Sequence, residues 1–234
     1  FTLRFKQDNV DQEDEAKLWL ESATEAMYTA FNRSNFQQEI FELYHDLITF
    51  GTAAMCIEED EEDFIKFSTR HIDEVYIAEN DKGRIDTIYR RFNLSARAVV
   101  QKFGTAVSQD ILVLEKKDPY KEVEIVHAVY PRADFNPTKK DKKNMPFESV
   151  YMEYKNGNEL SVSGFKEFPF VVPRYLKASH EIYGRSPAMT ALPDVKMLNE
   201  MVKTTIKAAQ KQVDPPLLVP DDGFLLPVRT VPGG

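Results

Sequence analysis

A long helical pattern near the carboxyl end sets the first limit on how this chain can fold. Ser186 and Pro187 are the residue types that favour the cap and the first position of a helix. From residue 194 to residue 212 the pattern is continuous, but Pro193 interrupts it early, so we expect a kink or a fresh start there. Asp214 and the two prolines after it end the pattern. The sequence therefore predicts one long helix between a capped start and a proline stop.

Two stripes of side chains run along this predicted helix. Apolar residues recur at about 100 degrees per residue, at Val195, Leu198, Val202, Ile206, Ala209 and Val213. The second stripe lies roughly a quarter-turn away and consists of Lys196, Glu200, Lys203, Lys207 and Gln210. One side of the helix is therefore suited to packing, and another to charged contacts.

A helical hairpin is predicted at the amino end. Acidic residues from 11 to 15 favour the first turn of a helix that ends near Arg33. The next helix follows at once, because Ser34 and Gln37 fit a capping box and Gly51 is a typical stop. Two amphipathic helices joined so tightly are expected to pack side by side.

From residue 52 the apolar period shifts toward two, which indicates strands. Ser95 and Ser108 are expected to cap two short helices within this region, and the dipeptide Asn156-Gly157 favours a hairpin turn. The predicted strands cover residues 53–57, 64–69, 74–78, 85–93, 122–130, 150–154 and 160–164, and residues 168–175 are predicted to be one more strand or an extended segment. Short extended pieces follow at 217–219, 224–226 and 228–231. We predict an α+β fold, with a mixed or antiparallel β region after the hairpin and before the long helix.

Composition and motifs point away from catalysis. The net charge of -8 is unlike that of a DNA-reading protein, although it is compatible with a surface past which DNA slides. Neither phosphate-binding glycine motif is present, and the four histidines lack the spacing of zinc ligands. The single cysteine, Cys56, excludes an internal disulfide and is expected in the core. We therefore expect no catalytic residue, metal site or cofactor, and the chain has no apolar run long enough to span a membrane.

An acidic run at residues 58–63 keeps one enzymatic alternative open. Six consecutive carboxylates could hold a divalent metal in a nuclease or another phosphate-processing enzyme. The run lacks the spaced glycine and final glutamate of a calcium loop. A solvated hairpin loop is the simpler interpretation.

The segment around the start of the long helix resembles the portal proteins, or head-to-tail connectors, of short-tailed bacteriophages. The matching residues are Tyr183, Gly184, Arg185, Pro187, Leu192, Pro193, Asp194, Leu198 and Asn199, followed by Val213, Asp214, Pro215 and Pro216. Weaker matches lie at residues 34–36, 50–53 and 130–132. The resemblance covers residues 11 to 234.

This resemblance implies a ring, usually of twelve subunits, at one vertex of the capsid. Double-stranded DNA would pass through its channel without sequence preference during packaging and ejection, and the ring would contact terminase, capsid or scaffold, and tail adaptor proteins. Residues 1–180 would form the wing, 181–213 the stem helix and 214–234 the start of a truncated clip. The chain starts at Phe1 rather than Met and is expected to be a fragment of a longer protein. Its expected location is the virion, after assembly in the bacterial cytoplasm.

The resemblance also gives the lysine stripe a candidate role. Lys196, Lys203 and Lys207 would face DNA in the channel, or would instead pair with acids on a neighbouring stem. A monomeric capsid or tail adaptor without a DNA channel is the alternative function.

Overall fold

The computed structural model describes residues 1–6, 13–60, 64–136, 138–139 and 141–213. Two compact units are present, Phe1–Pro187 and Ala188–Gly234. The predicted proline stop and the extended pieces after it lie outside the described residues.

The first unit opens with the predicted helix pair, α1 (Asp14–Arg33) and α2 (Phe36–Phe50). Gly51 ends α2 in the left-handed conformation, with φ 79°, as its position predicts. The predicted capping box is wrong. Asn35 occupies the cap position, and the amide of Gln37 contacts Asn32 instead of the backbone at the helix start.

The first sheet has three antiparallel strands in the order β2-β1-β8. These strands are β1 (Ala54–Asp60), β2 (Phe64–Arg70) and β8 (Phe170–Val171). Helix α2 packs on this sheet, where Leu43, Ala53, Met55 and Phe67 form a buried cluster. Residues 168–175 were expected to form a strand or an extended segment. Only Phe170 and Val171 form a strand, because the chain after them makes isolated bridges rather than a continuous ladder.

The second sheet has five antiparallel strands in sequence order, which confirms an antiparallel β region. They are β3 (Val75–Glu79), β4 (Ile85–Ser95), β5 (Glu122–Pro131), β6 (Phe147–Glu153) and β7 (Glu159–Phe165). Between β4 and β5 lie α3 (Ala96–Phe103) and α4 (Gln109–Lys117). The Ser95 hydroxyl accepts a hydrogen bond from the Ala98 amide at 3.3 Å and so caps α3 as predicted.

Two buried clusters join these layers. Ala54, Cys56 and Phe170 of the first sheet pack against Ile77, Ile88 and Val129 of the second. Val99 and Ile111 from α3 and α4 cover Phe92, Ile125 and Leu160 farther along the second sheet. The core position expected for Cys56 is confirmed, since only 2% of this residue is exposed.

Helix α5 (Pro187–Val213) has 27 residues and is about 40 Å long. It is continuous through Pro193, so the fresh start expected there is wrong. One missing amide donor costs a helix less than the many remaining hydrogen bonds gain. All of its residues from 188 to 213 are exposed, whereas Pro187 at its start is half-buried and belongs to the first unit. The α+β fold with a long carboxyl-terminal helix is confirmed, and no described helix is long and apolar enough to cross a membrane.

Candidate functional site

The segment 181–186, directly before α5, is held by contacts from three distant parts of the first unit. We call this segment, together with the residues that contact it, the junction. Its partners are the end of α2, strand β3 and the segment 174–176. The junction is where the sequence signature lies, so its geometry shows what those residue types do.

At the centre of the junction, the backbones of Gly51 and Gly184 lie in close contact. A Cβ added to Gly184 would lie 2.3 Å from the Gly51 carbonyl oxygen, and one added to Gly51 would lie 2.5 Å from the Gly184 oxygen. The Gly184 amide donates to the Thr52 hydroxyl at 2.7 Å, and Thr52 is fully buried. The Arg185 amide donates to the Leu176 carbonyl at 2.7 Å. Only glycine fits this approach.

Tyr183 occupies the open edge of β3. Its hydroxyl accepts a hydrogen bond from the Ile77 amide at 3.2 Å and lies 3.4 Å from the Val75 carbonyl oxygen, to which it can donate. The phenol therefore takes the place of a neighbouring strand. An edge strand covered in this way cannot pair with another chain.

Ser186 ties the residue before α5 to α2. Its hydroxyl donates to the Thr49 carbonyl at 2.8 Å, and only 1% of the residue is exposed. A buried hydroxyl needs such a partner, because an unpaired one costs roughly 1–3 kcal/mol. The residue directly before α5 is thus fixed to the end of α2.

A charged cluster closes the junction on one side. Glu79 accepts hydrogen bonds from Lys177, at 2.5 Å, and from Arg174, and these bonds lower the pKa of its carboxyl group. Arg174 also donates to the carbonyls of Ile182, at 3.1 Å, and Gly83, at 3.4 Å. One guanidinium therefore connects the β3–β4 turn to the junction.

Arg185 differs from its neighbours because its side chain is exposed. It pairs with Glu181, one helical turn earlier in sequence, and this pair lowers the pKa of Glu181. Exposed ion pairs contribute little stability. The Arg185 side chain is thus available for contacts outside this chain, unlike that of the buried Ser186.

The other signature residues lie on or beyond the helix. Pro187 is its first residue and Pro193 lies inside it, while Asp194 and Asn199 are exposed. Pro215 and Pro216 lie outside the described residues. The structure therefore brings Tyr183, Gly184 and Arg185 into the junction.

The lysine stripe is exposed along α5. Lys203 pairs with Glu200 of the same helix at 2.9 Å. Lys196 and Lys207 form no ion pair within the described part of the chain. Two of the three ammonium groups can therefore bind an outside anion without first giving up a partner.

A buried polar stack was not predicted from the sequence. His127 is 2% exposed, bonds to the Ser149 hydroxyl at 2.9 Å, and stacks on Tyr151 with ring centroids 3.8 Å apart. Burial, reinforced by Lys102 and Arg90, lowers its pKa to about 3, so the imidazole is neutral. The sequence signal that could have indicated its burial was the alternation of side chains along β5, because His127 lies on the same face as Ile125 and Val129.

The acidic run does not form a described metal site. Glu58, Glu59 and Asp60 lie in β1, paired with β2, while residues 61–63 are outside the described chain. Among the described residues, no group of three or more His, Cys, Asp or Glu side chains is placed to hold a metal ion. Burial also raises the pKa of the Cys56 thiol to about 12, which leaves it unreactive.

Comparison with known proteins gives one consistent result. Residues 1–234 match the family described as Bacteriophage head to tail connecting protein. The chain is 35% identical over 222 residues to the portal protein of Salmonella phage epsilon15, covering 93% of this chain and 40% of that protein. It is 32% identical over 238 residues to the probable portal protein of Bordetella phage BPP-1, covering 100% of this chain and 43% of that protein. The chain thus spans less than half the length of these relatives.

Proposed function

The chain belongs to the bacteriophage head-to-tail connecting protein family, and we propose that it is the wing and stem part of a portal subunit. In this proposal residues 1–180 form the wing, 181–213 the stem helix and 214–234 the start of the clip. The subunit is structural, with no catalytic residue and no cofactor. It acts in the virion, at the portal vertex, after assembly in the host cytoplasm.

The observation that carries this proposal is the junction before a fully exposed helix. A ring subunit needs a well-fixed chain segment directly before its stem helix, and Tyr183, Gly184 and Ser186 fix that segment through contacts that span more than 100 residues of sequence. The helix then exposes large apolar side chains that an isolated soluble chain would bury. They include Val195, Leu198, Val202 and Ile206.

Neighbouring copies around a ring, usually of twelve, would cover that apolar stripe. The lysine stripe of each copy would then face the channel and contact double-stranded DNA through phosphates only. Repetition around the ring would give many weak contacts, which suits a polymer that must slide. Terminase, capsid or scaffold proteins, and tail adaptors are the proposed protein partners.

Electron microscopy of the full-length natural protein tests the proposal. We expect closed rings, and light scattering should give the mass of an oligomer. Replacing Val202 and Ile206 with glutamate should abolish the rings, whereas two glutamates at the exposed residues Val113 and Tyr120 of the wing should not. A full-length protein that stays strictly monomeric under assembly conditions would contradict the ring and favour the adaptor alternative.

A further inference from the structure

Helix α2 exposes an apolar stripe on the side away from its core. Leu43 faces the first sheet and is 4% exposed, whereas Phe41, Tyr44 and Ile48 are 78%, 55% and 54% exposed. These three side chains recur at helical spacing on one face. The solvent side of a globular helix normally carries polar residues, so this face is suited to contact with another molecule.

A groove of about 1020 Å³ lies next to this stripe. Helix α2 forms one side of it, and the end of β2 together with Glu74 and Arg90 forms the other. Phe41 and Phe50 give it an apolar surface. The charged lining residues are Glu42, Asp46, Arg70, Glu74 and Arg90. A groove of this size beside exposed aromatic groups can hold the apolar side chains of a peptide or helix.

Asp46 is a shielded carboxylate in the groove. Only 13% of its side chain is exposed, and its nearest opposite group is the Nδ1 atom of His45 at 3.7 Å. Within the described residues its carboxylate accepts no hydrogen bond. A shielded carboxylate without a donor is costly, and an incoming cation would reduce that cost.

The remaining charges of the groove also favour a ligand that carries a positive charge. Arg90 is neutralised by Glu74 at 2.8 Å and stacks over Phe92 at 3.7 Å. Arg70 is then the single cation opposite Glu42 and Asp46, and α2 itself contains three acidic residues and neither lysine nor arginine. The uncompensated charge of the groove is therefore negative.

We propose that this groove is the docking site for an amphipathic helix of a partner protein that places apolar anchors beside lysine or arginine. The anchors would fill the space between Phe41 and Phe50, and a cationic side chain would reach Asp46. The contact lies within the first unit and requires no ring, so it stands apart from the proposed function.

Two designed helical peptides of about 18 residues would test the proposal, with identical leucine faces and either lysines or glutamates along the flanks. Fluorescence anisotropy would measure their binding to the full chain. We expect the lysine peptide to bind at least about tenfold more tightly. Phe41→Ser and Asp46→Asn should each weaken it about tenfold, and urea unfolding would verify that both variants are folded.

Matched controls are needed because an acidic chain attracts any cationic peptide. Tyr120→Ser removes an aromatic group that is 75% exposed elsewhere, and Asp81→Asn removes an exposed carboxylate from the β3–β4 turn. Neither should change the affinity. Equal binding of the two peptides, tighter binding of the glutamate peptide, or equal losses in the controls would overturn the proposal. Self-association abolished by Phe41→Ser, measured by sedimentation velocity, would overturn it in favour of a second copy as the occupant.

Discussion

At Gly184 the backbone leaves no room for a side chain, and this makes the residue a sensitive test of the junction. A methyl group there would overlap the Gly51 carbonyl and press on Arg174, so the segment would have to separate from α2. We expect Gly184→Ala to lower the free energy of unfolding by about 1–3 kcal/mol, the usual cost of overpacking. Urea unfolding followed by circular dichroism would measure it.

Two other glycines separate the effects of crowding and backbone conformation. The methyl group added in Gly157→Ala would have no atom within 4 Å, but Gly157 has φ +65°. This variant should therefore lose only the free energy that a left-handed backbone costs a residue other than glycine. Gly51→Ala combines crowding with φ +79° and should be the most destabilising of the three. A Gly184 variant as stable as the native chain would contradict the described junction.

His127 makes stability depend on pH. Its pKa is about 3 in the folded chain and near 6.5 when unfolded, so below pH 6.5 the unfolded chain binds the extra proton. The contribution of His127 to stability is therefore complete above pH 6.5 and is lost as the pH falls toward 3. We expect a loss of up to about 1.4 kcal/mol per pH unit from this residue in that range.

The variant His127→Phe keeps an aromatic ring on Tyr151 and removes the titrating group. Unfolding measured between pH 7 and 4 should show a shallower pH dependence in this variant than in the native chain. The variant His45→Gln is the matched control, because it replaces a histidine whose side chain is 77% exposed. Parallel curves for His127→Phe and the native chain would refute the buried neutral imidazole.

Among the elements, β2 shows how a sheet edge is closed by helix side chains. The Asn35 amide bonds to both backbone groups of Phe67, at 2.8 and 2.9 Å, as a neighbouring strand would. Glu39 of α2 accepts from the Thr69 amide at 2.5 Å, and its carbonyl accepts from the Thr69 hydroxyl at 2.9 Å. An edge closed in this way resists pairing with other chains.

Asn35→Ala should therefore affect both stability and aggregation. We expect about 1–3 kcal/mol of destabilisation, because two backbone groups of β2 lose their partners. Light scattering during mild heating should show earlier aggregation. Gln37→Ala is the control, since that amide makes only a long surface contact of 3.5 Å with Asn32. Equal behaviour of the two variants would argue against edge protection by Asn35.

The same residues show what the sequence could and could not predict. The Ser34–Gln37 capping box is a local pattern, and it failed because Asn35 serves a strand 32 residues away. Local signals did suffice at Ser95 and Gly51, where the partners lie within four residues. Element types follow from periodicity, whereas side-chain partners follow from tertiary contacts that periodicity does not contain.

The junction illustrates this limit for the candidate site. The helix start at Pro187 was predictable from the cap and proline preferences alone. The hydrogen bonds from Tyr183 to β3 and from Gly184 to Thr52 were not, since they join residues 106 and 132 positions apart. The resemblance pointed to Tyr183, Gly184 and Arg185, and the structure places all three in the junction, while their functional role stays a prediction.

At the scale of the whole molecule, charge is distributed unevenly. The chain carries a net charge of -8, but α5 contains four lysines and two acids and is the more basic part. In the proposed ring, basic side chains would be needed only where DNA passes, because phosphate contacts depend on local cations. An acidic surface elsewhere would limit binding of DNA outside the channel.

Replacing Lys196, Lys203 and Lys207 with glutamine in the full-length protein tests which role the lysine stripe has. If the stripe faces DNA, rings should still form, and the salt dependence of DNA binding should fall by about 0.9 in the logarithmic slope for each lost phosphate contact. Lys203 alone should matter least, because Glu200 already pairs with it. A triple glutamine variant at Lys82, Lys116 and Lys155, all exposed in the first unit, should bind DNA as the native ring does.

If the stripe instead pairs with acids on a neighbouring stem, the variant at Lys196, Lys203 and Lys207 should fail to form rings in electron micrographs while the control assembles. Unchanged rings with an unchanged salt slope would exclude both roles.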